Sequence, residues 1–173
     1  MRSCFLLLIC TAALFAESVA GLKWTPPADW KSSGATSMRA ATYPVAPVPG
    51  DRDGAECAVY FFGIGQGGSV QANIDRWAGQ FKAPGRKPAP AEVTKIAIHG
   101  LPVTTIDVSG EYSGMAGLVA TETAPVSGYR LLGAIVGSSG GNVFIKFTGP
   151  AKTMAANQGR FQQLLDSFER AVK

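Results

Sequence analysis

Apolar residues follow a strand-like pattern in several separate segments of the chain. In residues 55–62 both alternating sets are apolar or aromatic, which predicts a strand covered on both faces. Residues 129–136 repeat this pattern, and a turn then separates them from a third apolar run at residues 143–147. The other runs that are typical of strands are residues 36–43, 93–98 and 103–108.

Two further segments have the spacing of an amphipathic helix. The first follows a glycine-rich turn, and its apolar residues are four, three and four positions apart, which places them on one face. They are Val70, Ile74, Trp77 and Phe81, and Pro84-Gly85 is expected to stop this helix. The second begins after Gly149-Pro150, because proline at a helix start has no hydrogen bond to lose. Its apolar face comprises Met154, Phe161, Leu165, Phe168 and Val172, with Leu164 at the edge.

The order of these segments predicts the fold class. Strands come first, then a helix, then two hairpins and a closing helix. Residues 99–102 and 137–141 are expected to be the hairpin turns, with Gly100 free to take a positive φ. Sequential hairpins give a mainly antiparallel sheet, and strands that are apolar on both sides need cover on both faces. We therefore predict an α/β (α+β) domain built as a three-layer α/β/α sandwich.

The first twenty residues have the organisation of a secretory signal peptide. A basic start, Met1-Arg2-Ser3, precedes the apolar run 4–15, and Ser18-Val19-Ala20 places small residues at the cleavage positions. The apolar run is too short to span a bilayer, which needs about 20 residues. Lipid attachment at Cys10 is not expected, because a bulky residue precedes it. We expect cleavage after Ala20 and an exported product, periplasmic or secreted, with residues 21–173 as one domain.

Charge and cysteine content narrow the function classes. The formal net charge is +4, but the basic residues are dispersed and form no stripe with stacking aromatics, so nucleic-acid binding is not expected.

After cleavage Cys57 is the only cysteine, and no internal disulfide can form. A lone thiol in an oxidising compartment is safest when buried, so Cys57 is predicted to be a core residue. No second apolar segment is long enough to span a membrane.

Two glycine motifs resemble functional signatures. Residues 63–68 match G-x-G-x-x-G, but the surrounding strands are expected to be antiparallel, whereas a dinucleotide site needs a parallel βαβ unit. Residues 137–141 match G-x-S-x-G, but a strand follows where a hydrolase has a helix, and no histidine follows Ser139. We interpret both as tight turns and expect no cofactor.

Five polar residues are candidates for a site at one end of the sheet. His99, the only histidine, sits at a hairpin tip and is within reach of a general-base role with Asp107 on the neighbouring strand. The acids Asp107 and Glu111 and the bases Arg130 and Lys146 lie on or near strands. We expect them either to form cross-strand ion pairs or to line a polar pocket. One histidine and one mature cysteine make no recognisable zinc set.

The two N-terminal tryptophans, Trp24 and Trp30, admit two interpretations. They are expected to pack the N-terminal segment onto the domain, or to form a pair that stacks on a ligand.

Several of these segments together resemble PsbP-like domains. The similarity rests on the entry Trp24–Trp30, the helix Val70–Trp77, the strand pair around Gly100 and Gly110-Glu111-Tyr112, and the strand Phe144–Pro150 that leads into the closing helix. It covers most of residues 22–172. The superfamily also contains Ran-binding relatives. The resemblance implies an antiparallel sheet between helices and an accessory role in binding partners, and it transfers no site residue.

Three functions follow as hypotheses. The first is an exported, non-enzymatic binding or accessory domain with a protein or small-molecule partner in the envelope. The second is a hydrolase that uses His99 with Asp107 or Glu111. The third is a carrier of a small apolar ligand.

Overall fold

The computed structural model describes residues 16–114 and 125–171. Within these ranges the chain forms eleven β-strands, two α-helices and one turn of 3-10 helix at Pro84–Arg86. The helices are α1 (Val70–Gly79) and α2 (Ala151–Asp166). The strands are β1 (Glu17–Val19), β2 (Leu22–Trp24), β3 (Arg39–Val45), β4 (Ala55–Tyr60), β5 (Phe81–Ala83), β6 (Lys87–Pro88), β7 (Ala91–Ile98), β8 (Leu101–Tyr112), β9 (Val126–Ser138), β10 (Gly141–Pro150) and β11 (Glu169–Arg170).

Eight strands form the main sheet, and every pairing in it is antiparallel. The order is β3-β4-β10-β9-β8-β5-β6. The strand β7 is not in this series: it pairs with residues 101–108 of β8, whereas β5 pairs with residues 111–112 of the same strand. The predicted hairpin between β7 and β8 is confirmed, but its turn comprises only His99 and Gly100, with φ values of 48° and 73°, because Leu101 and Pro102 already belong to β8. Positive φ at both central residues is the requirement of a tight two-residue hairpin.

The main sheet has a hydrophobic core on each side. Along β9, Leu132, Ala134 and Val136 belong to one core and Leu131 and Ile135 to the other, because successive residues of a strand point to opposite faces. We call the two sides the α2 face and the α1 face. The α2 face packs against Met154, Phe161, Leu164 and Leu165, and the α1 face against Ile74 and Trp77.

The mixed α+β class and the mainly antiparallel sheet are confirmed, whereas a three-layer sandwich with helices covering both faces is not. The helix α1 has ten residues and is about 15 Å long, while the seven strands from β3 to β6 span roughly 30 Å. Seven of the eight residues of β7 are exposed, including Val93 and Ile96. Two helices therefore leave parts of the sheet to loops, polar side chains and solvent.

A second, three-stranded sheet of order β1-β2-β11 closes the α2 face. Its first strand consists of residues 17–19, which the predicted cleavage after Ala20 would remove. Residues 1–15 of the predicted leader lie outside the described residues. The Tyr43 hydroxyl donates to Glu17 Oε2 (2.8 Å) and accepts from Trp24 Nε1 (2.8 Å). This strand therefore has polar contacts with the buried part of the domain.

Several predicted element boundaries were wrong. The helix α1 ends at Gly79 rather than at Pro84, because residues 81–82 pair with β8 in an extended conformation. Phe168 lies past the end of α2, and Val172 lies outside the described residues. Pro44 continues β3, where a missing N–H is tolerated because β3 is an edge strand.

Candidate functional site

A groove on the α2 face lies between α2 and the strands β7, β8 and β9, and we call it the Asp107 groove. It is partly open to solvent and has a volume of about 230 Å³. Its apolar floor is formed by Leu132, Phe161 and Leu165. Its polar lining comprises Glu92, Thr94, Thr105, Asp107, Gln158 and Gln162. The groove therefore combines an apolar base with walls rich in hydrogen-bonding groups.

Arg130 holds Asp107 in place within this groove. Its Nε donates to Asp107 Oδ1 (2.9 Å), its Nη2 donates to Asp107 Oδ2, and its Nη1 donates to Gln158 Oε1 (3.0 Å). Such a two-pronged arginine–carboxylate contact fixes the orientation of both groups. The hydrogen bonds to Asp107 raise the pKa of Arg130, against the opposing effect of burial. The ion pair also connects β8 and β9 to α2.

The groove carries an excess of negative charge. Glu92 on β7 lies directly opposite Asp107 on β8, so two carboxylates face the same side at neighbouring positions. Arg130 compensates one of them. A second open concavity of about 520 Å³ adjoins these two acids and is lined also by Pro90 and Ser109. The acidic end of the groove is thus open to solvent and accessible to a partner.

Lys146 lies on the opposite face of the sheet, in a second polar cluster. Its Nζ donates to Gln80 Oε1 (2.9 Å) and to the Tyr112 hydroxyl (3.2 Å). Burial, and secondly the charge of Arg76, lower the pKa of Lys146 from 10.5 to about 8. The phenol of Tyr112 has a raised pKa, first because it is buried. Lys146 is therefore a half-buried ammonium group whose two hydrogen-bond acceptors are both uncharged.

Aromatic rings and an ion pair surround this lysine. Tyr112 stacks on Tyr129 with ring centroids 5.6 Å apart, and Arg39 lies over the ring of Tyr60 at 5.3 Å. Arg39 also forms an ion pair with Glu56 (2.8 Å). We call Arg39, Glu56, Tyr60, Arg76, Gln80, Tyr112 and Lys146 the Lys146 cluster.

The five sequence-derived candidates are therefore distributed over separate places. Asp107 and Arg130 are brought together, and Lys146 is on the other face of the sheet. His99 is at the β7–β8 turn, where its Nδ1 lies 3.0 Å from the carbonyl oxygen of Phe168. Glu111 is opposite Lys82 of β5, near the far end of β8. Both acids lie further along β8, away from the turn that contains His99.

The partners of Lys146 were not found from the sequence. Gln80 belongs to a segment whose predicted role was purely structural, and Tyr112 was named only within the segments that resemble PsbP-like domains. The register of β4, β10, β9 and β8 decides which side chains meet, and no local pattern encodes that register.

The remaining sequence features have structural roles. Trp24 stacks on Phe168 and Trp30 contacts Phe147, each with ring centroids 5.1 Å apart, so both tryptophans are core residues, and Tyr43 contacts both of them. Cys57 is fully buried, as predicted, and burial raises the pKa of its thiol. A side chain at Gly67 would meet the Phe144 ring at 2.7 Å, so this turn requires glycine for packing.

The described residues contain neither a metal-binding cluster nor a membrane-spanning helix. No cluster of three or more histidine, cysteine, aspartate or glutamate side chains suited to a metal ion occurs in the described ranges. In residues 16–114 and 125–171 no helix has the length and apolar character needed to cross a membrane.

Comparison with known proteins identifies the fold. No family model matches the sequence, and no curated protein sequence matches it. The solution structure of the cyanobacterial PsbP protein CyanoP from Synechocystis sp. PCC 6803 has a TM-score of 0.51 and 12% identity, and covers 98% of each chain. The crystal structure of PA94, a protein of unknown function from Pseudomonas aeruginosa, has a TM-score of 0.50 and 9% identity, and covers 88% of this chain and 94% of PA94. The chain therefore has a PsbP-like fold, as the sequence resemblance implied.

Proposed function

We propose that the protein is an exported, non-enzymatic binding domain that holds an extended segment of a partner protein in the Asp107 groove. The observation that carries this proposal is the position of the groove beside an exposed edge strand. Among the described residues β7 pairs only with β8, so its other edge has unpaired backbone groups. An extended segment can add to such an edge and place side chains in an adjoining cavity.

The charge of the groove selects the partner's chemistry. Glu92 and Asp107 outnumber the single arginine, Arg130, so a lysine or arginine side chain complements the open acidic end. The apolar floor suits an aliphatic or aromatic residue two positions from that basic residue, because alternate residues of a strand point to the same face. A partner segment with a basic and an apolar residue two positions apart therefore fits both features.

The geometry gives little support to a hydrolase. The six residue steps from Leu101 to Asp107 extend about 20 Å along the strand, so His99 is too far away to exchange a proton with Asp107. Both oxygens of the Asp107 carboxylate in addition accept hydrogen bonds from Arg130. A general base has to reach its partner within one hydrogen bond or one water molecule.

An apolar-ligand carrier is also less well supported. Its site needs a mainly apolar cavity of roughly 300–1,000 Å³. The Asp107 groove has a volume of about 230 Å³, is partly open to solvent and has six polar residues in its lining. A short side chain of a partner matches this volume better than a free lipid does.

Photo-cross-linking in the native envelope tests the proposed function. A photoreactive residue at Gln162, which lines the groove, is expected to give a discrete adduct with a partner protein. Gln163 is a matched control, because it is the same exposed residue type on the same helix but outside the groove lining. The adduct should disappear in Glu92→Lys. Equal adducts at both positions, or purified protein with hydrolytic activity lost in Asp107→Asn, would contradict the proposal.

Export is part of this proposal and has its own test. We expect the intact mass of the mature protein to correspond to a chain that begins at Gly21. The Tyr43 hydroxyl would then lose its acceptor, Glu17, and gain access to water. A product that retains Met1 to Ala20, or that carries lipid on Cys10, would show that the sequence interpretation is wrong.

A further inference from the structure

The Lys146 cluster has more positive than negative charge. It contains three cations, Arg39, Arg76 and Lys146, and one carboxylate, Glu56, which pairs with Arg39 at 2.8 Å. In the described part of the chain neither Lys146 nor Arg76 has a carboxylate within 4.0 Å. Two cations therefore remain without an anionic partner.

The two uncompensated cations lie near each other, and the Arg76 guanidinium also donates to the side-chain oxygen of Asn73 within α1. Arg76 and Gln80 are four residues apart at the end of α1, so they share one side of the helix, and Gln80 contacts the ammonium group of Lys146. Arg76 lies close enough to lower the pKa of Lys146. A half-buried ammonium group beside a second cation is costly unless an anion compensates it.

A nearby hydroxyl also lacks a partner. Thr148 is two residues from Lys146 along β10, and therefore on the same face. Its Oγ1 is buried and has no hydrogen-bond partner among the described residues. Buried hydroxyl groups in proteins nearly always have one, so this atom is a second sign that a polar group is missing here.

The walls of the cluster are flat aromatic rings. Tyr112 and Tyr129 are stacked with an interplanar angle of 3°, and Tyr60 and Phe62 with an angle of 9° and a centroid separation of 6.0 Å. Stacked rings of this kind accept another planar ring at their face or edge. The cations select an anion, and the rings select a planar apolar body attached to it.

We propose that the Lys146 cluster binds a small aromatic carboxylate, with the carboxylate on Lys146 and Arg76 and the ring against the tyrosines. This site is on the opposite face of the sheet from the Asp107 groove, and it is independent of the proposed partner segment. The two sites can be tested separately.

Titration of the full chain with benzoate, followed by amide NMR, tests this site. Saturable shifts are expected at residues around Lys146 and Gln80, and Lys146→Met should weaken binding at least about tenfold. Lys146→Arg, which keeps the charge, should restore part of the affinity. Lys95→Met is the matched control, because Lys95 is exposed on β7 and its substitution should leave benzoate binding unchanged.

The pH dependence is a second readout. The groups that face Lys146 are Arg76 from α1, Glu56 and Tyr60 from β4, Arg39 from β3 and Tyr112 from β8. Lys146 changes charge near pH 8, and burial raises the pKa values of Tyr60 and Tyr112 above their ordinary value. Benzoate affinity should therefore be level below pH 8 and fall as the pH rises above it, because the neutral amine no longer attracts the carboxylate.

Three results would overturn the proposal. The first is the absence of saturable shifts at millimolar benzoate in a folded parent chain. The second is an unchanged affinity in Lys146→Met whose melting curve shows a folded protein. The third is equal binding of inorganic phosphate or cyclohexanecarboxylate, which would show that the cluster selects charge without selecting an aromatic ring.

Discussion

Replacement of Lys146 by methionine should change how the stability of the protein depends on pH. Methionine keeps the unbranched apolar stem and removes the ammonium group. The pKa of Lys146 is about 8 in the folded protein, against an ordinary value of 10.5. The unfolded chain therefore binds more protons than the folded one between these two values, and the folded state gains stability as the pH rises through that window.

The magnitude follows from the two pKa values. With a folded pKa of about 8 and an unfolded pKa of 10.5, raising the pH from 7 to 9.5 contributes roughly 2 kcal/mol to the free energy of unfolding. The comparison has to be a difference between parent and variant. The pKa values of Cys57 and of the buried tyrosines are raised in the folded protein, so their ionisation in the unfolded chain lowers the free energy of unfolding as the pH rises. This contribution is present in both proteins and cancels in the difference.

Urea unfolding of both proteins at several pH values is the appropriate measurement. Lys146→Met should be more stable than the parent at pH 7, and this advantage should shrink by about 2 kcal/mol by pH 9.5. Lys95→Met provides the control, because it removes the same charge from an exposed position on β7. A pH-independent difference for Lys146→Met would refute the reasoning, because it would mean that the folded lysine is solvated like a free one.

Four further predictions concern packing and the accessibility of the buried thiol. Phe168→Ala should lower the free energy of unfolding by about 3–5 kcal/mol, because Phe168 is fully buried; a change below about 1 kcal/mol in urea unfolding would show that this residue is not docked. Gly133→Ala should destabilise the protein by about 1–3 kcal/mol, since the added Cβ would lie 2.7 Å from the ring of Trp77. Gly159→Ala on the exposed side of α2 meets no atom within 4 Å and should raise the melting temperature, so equal effects of the two glycine substitutions would contradict the packing. Cys57 should react with a thiol reagent only after unfolding, and fast labelling of the native protein would show that the thiol is accessible.

Much of the secondary structure follows from local patterns. The spacing of Ile74 and Trp77 predicts α1, and the apolar alternation in β9 and β10 predicts two central strands. The β7–β8 turn follows from His99-Gly100, because few residue pairs tolerate positive φ at both positions. Local sequence determines these elements since the cause of each lies within a few residues.

The ends of the helices depended on contacts from distant parts of the chain. Phe81 continues the helical spacing of α1 but joins β5, because its backbone pairs with Tyr112, which is 31 positions later in the sequence. Phe168 likewise continues the spacing of α2 but lies beyond its end, stacked on Trp24. Hydrophobic spacing identifies the buried side chains but cannot distinguish a last helical turn from an extended segment that buries the same residue.

The candidate sites were decided by tertiary structure. The sequence alone identified Asp107, Arg130 and Lys146 as polar residues on strands and left open whether they pair or form one pocket. The strand register brings Asp107 and Arg130 together. Lys146 is separated from them because a shift of one residue along a strand reverses the face to which a side chain points. The order of segments therefore determined a mainly antiparallel sheet with two helices, and the resemblance implied the PsbP-like fold, while pairing between distant strands determined which charges meet.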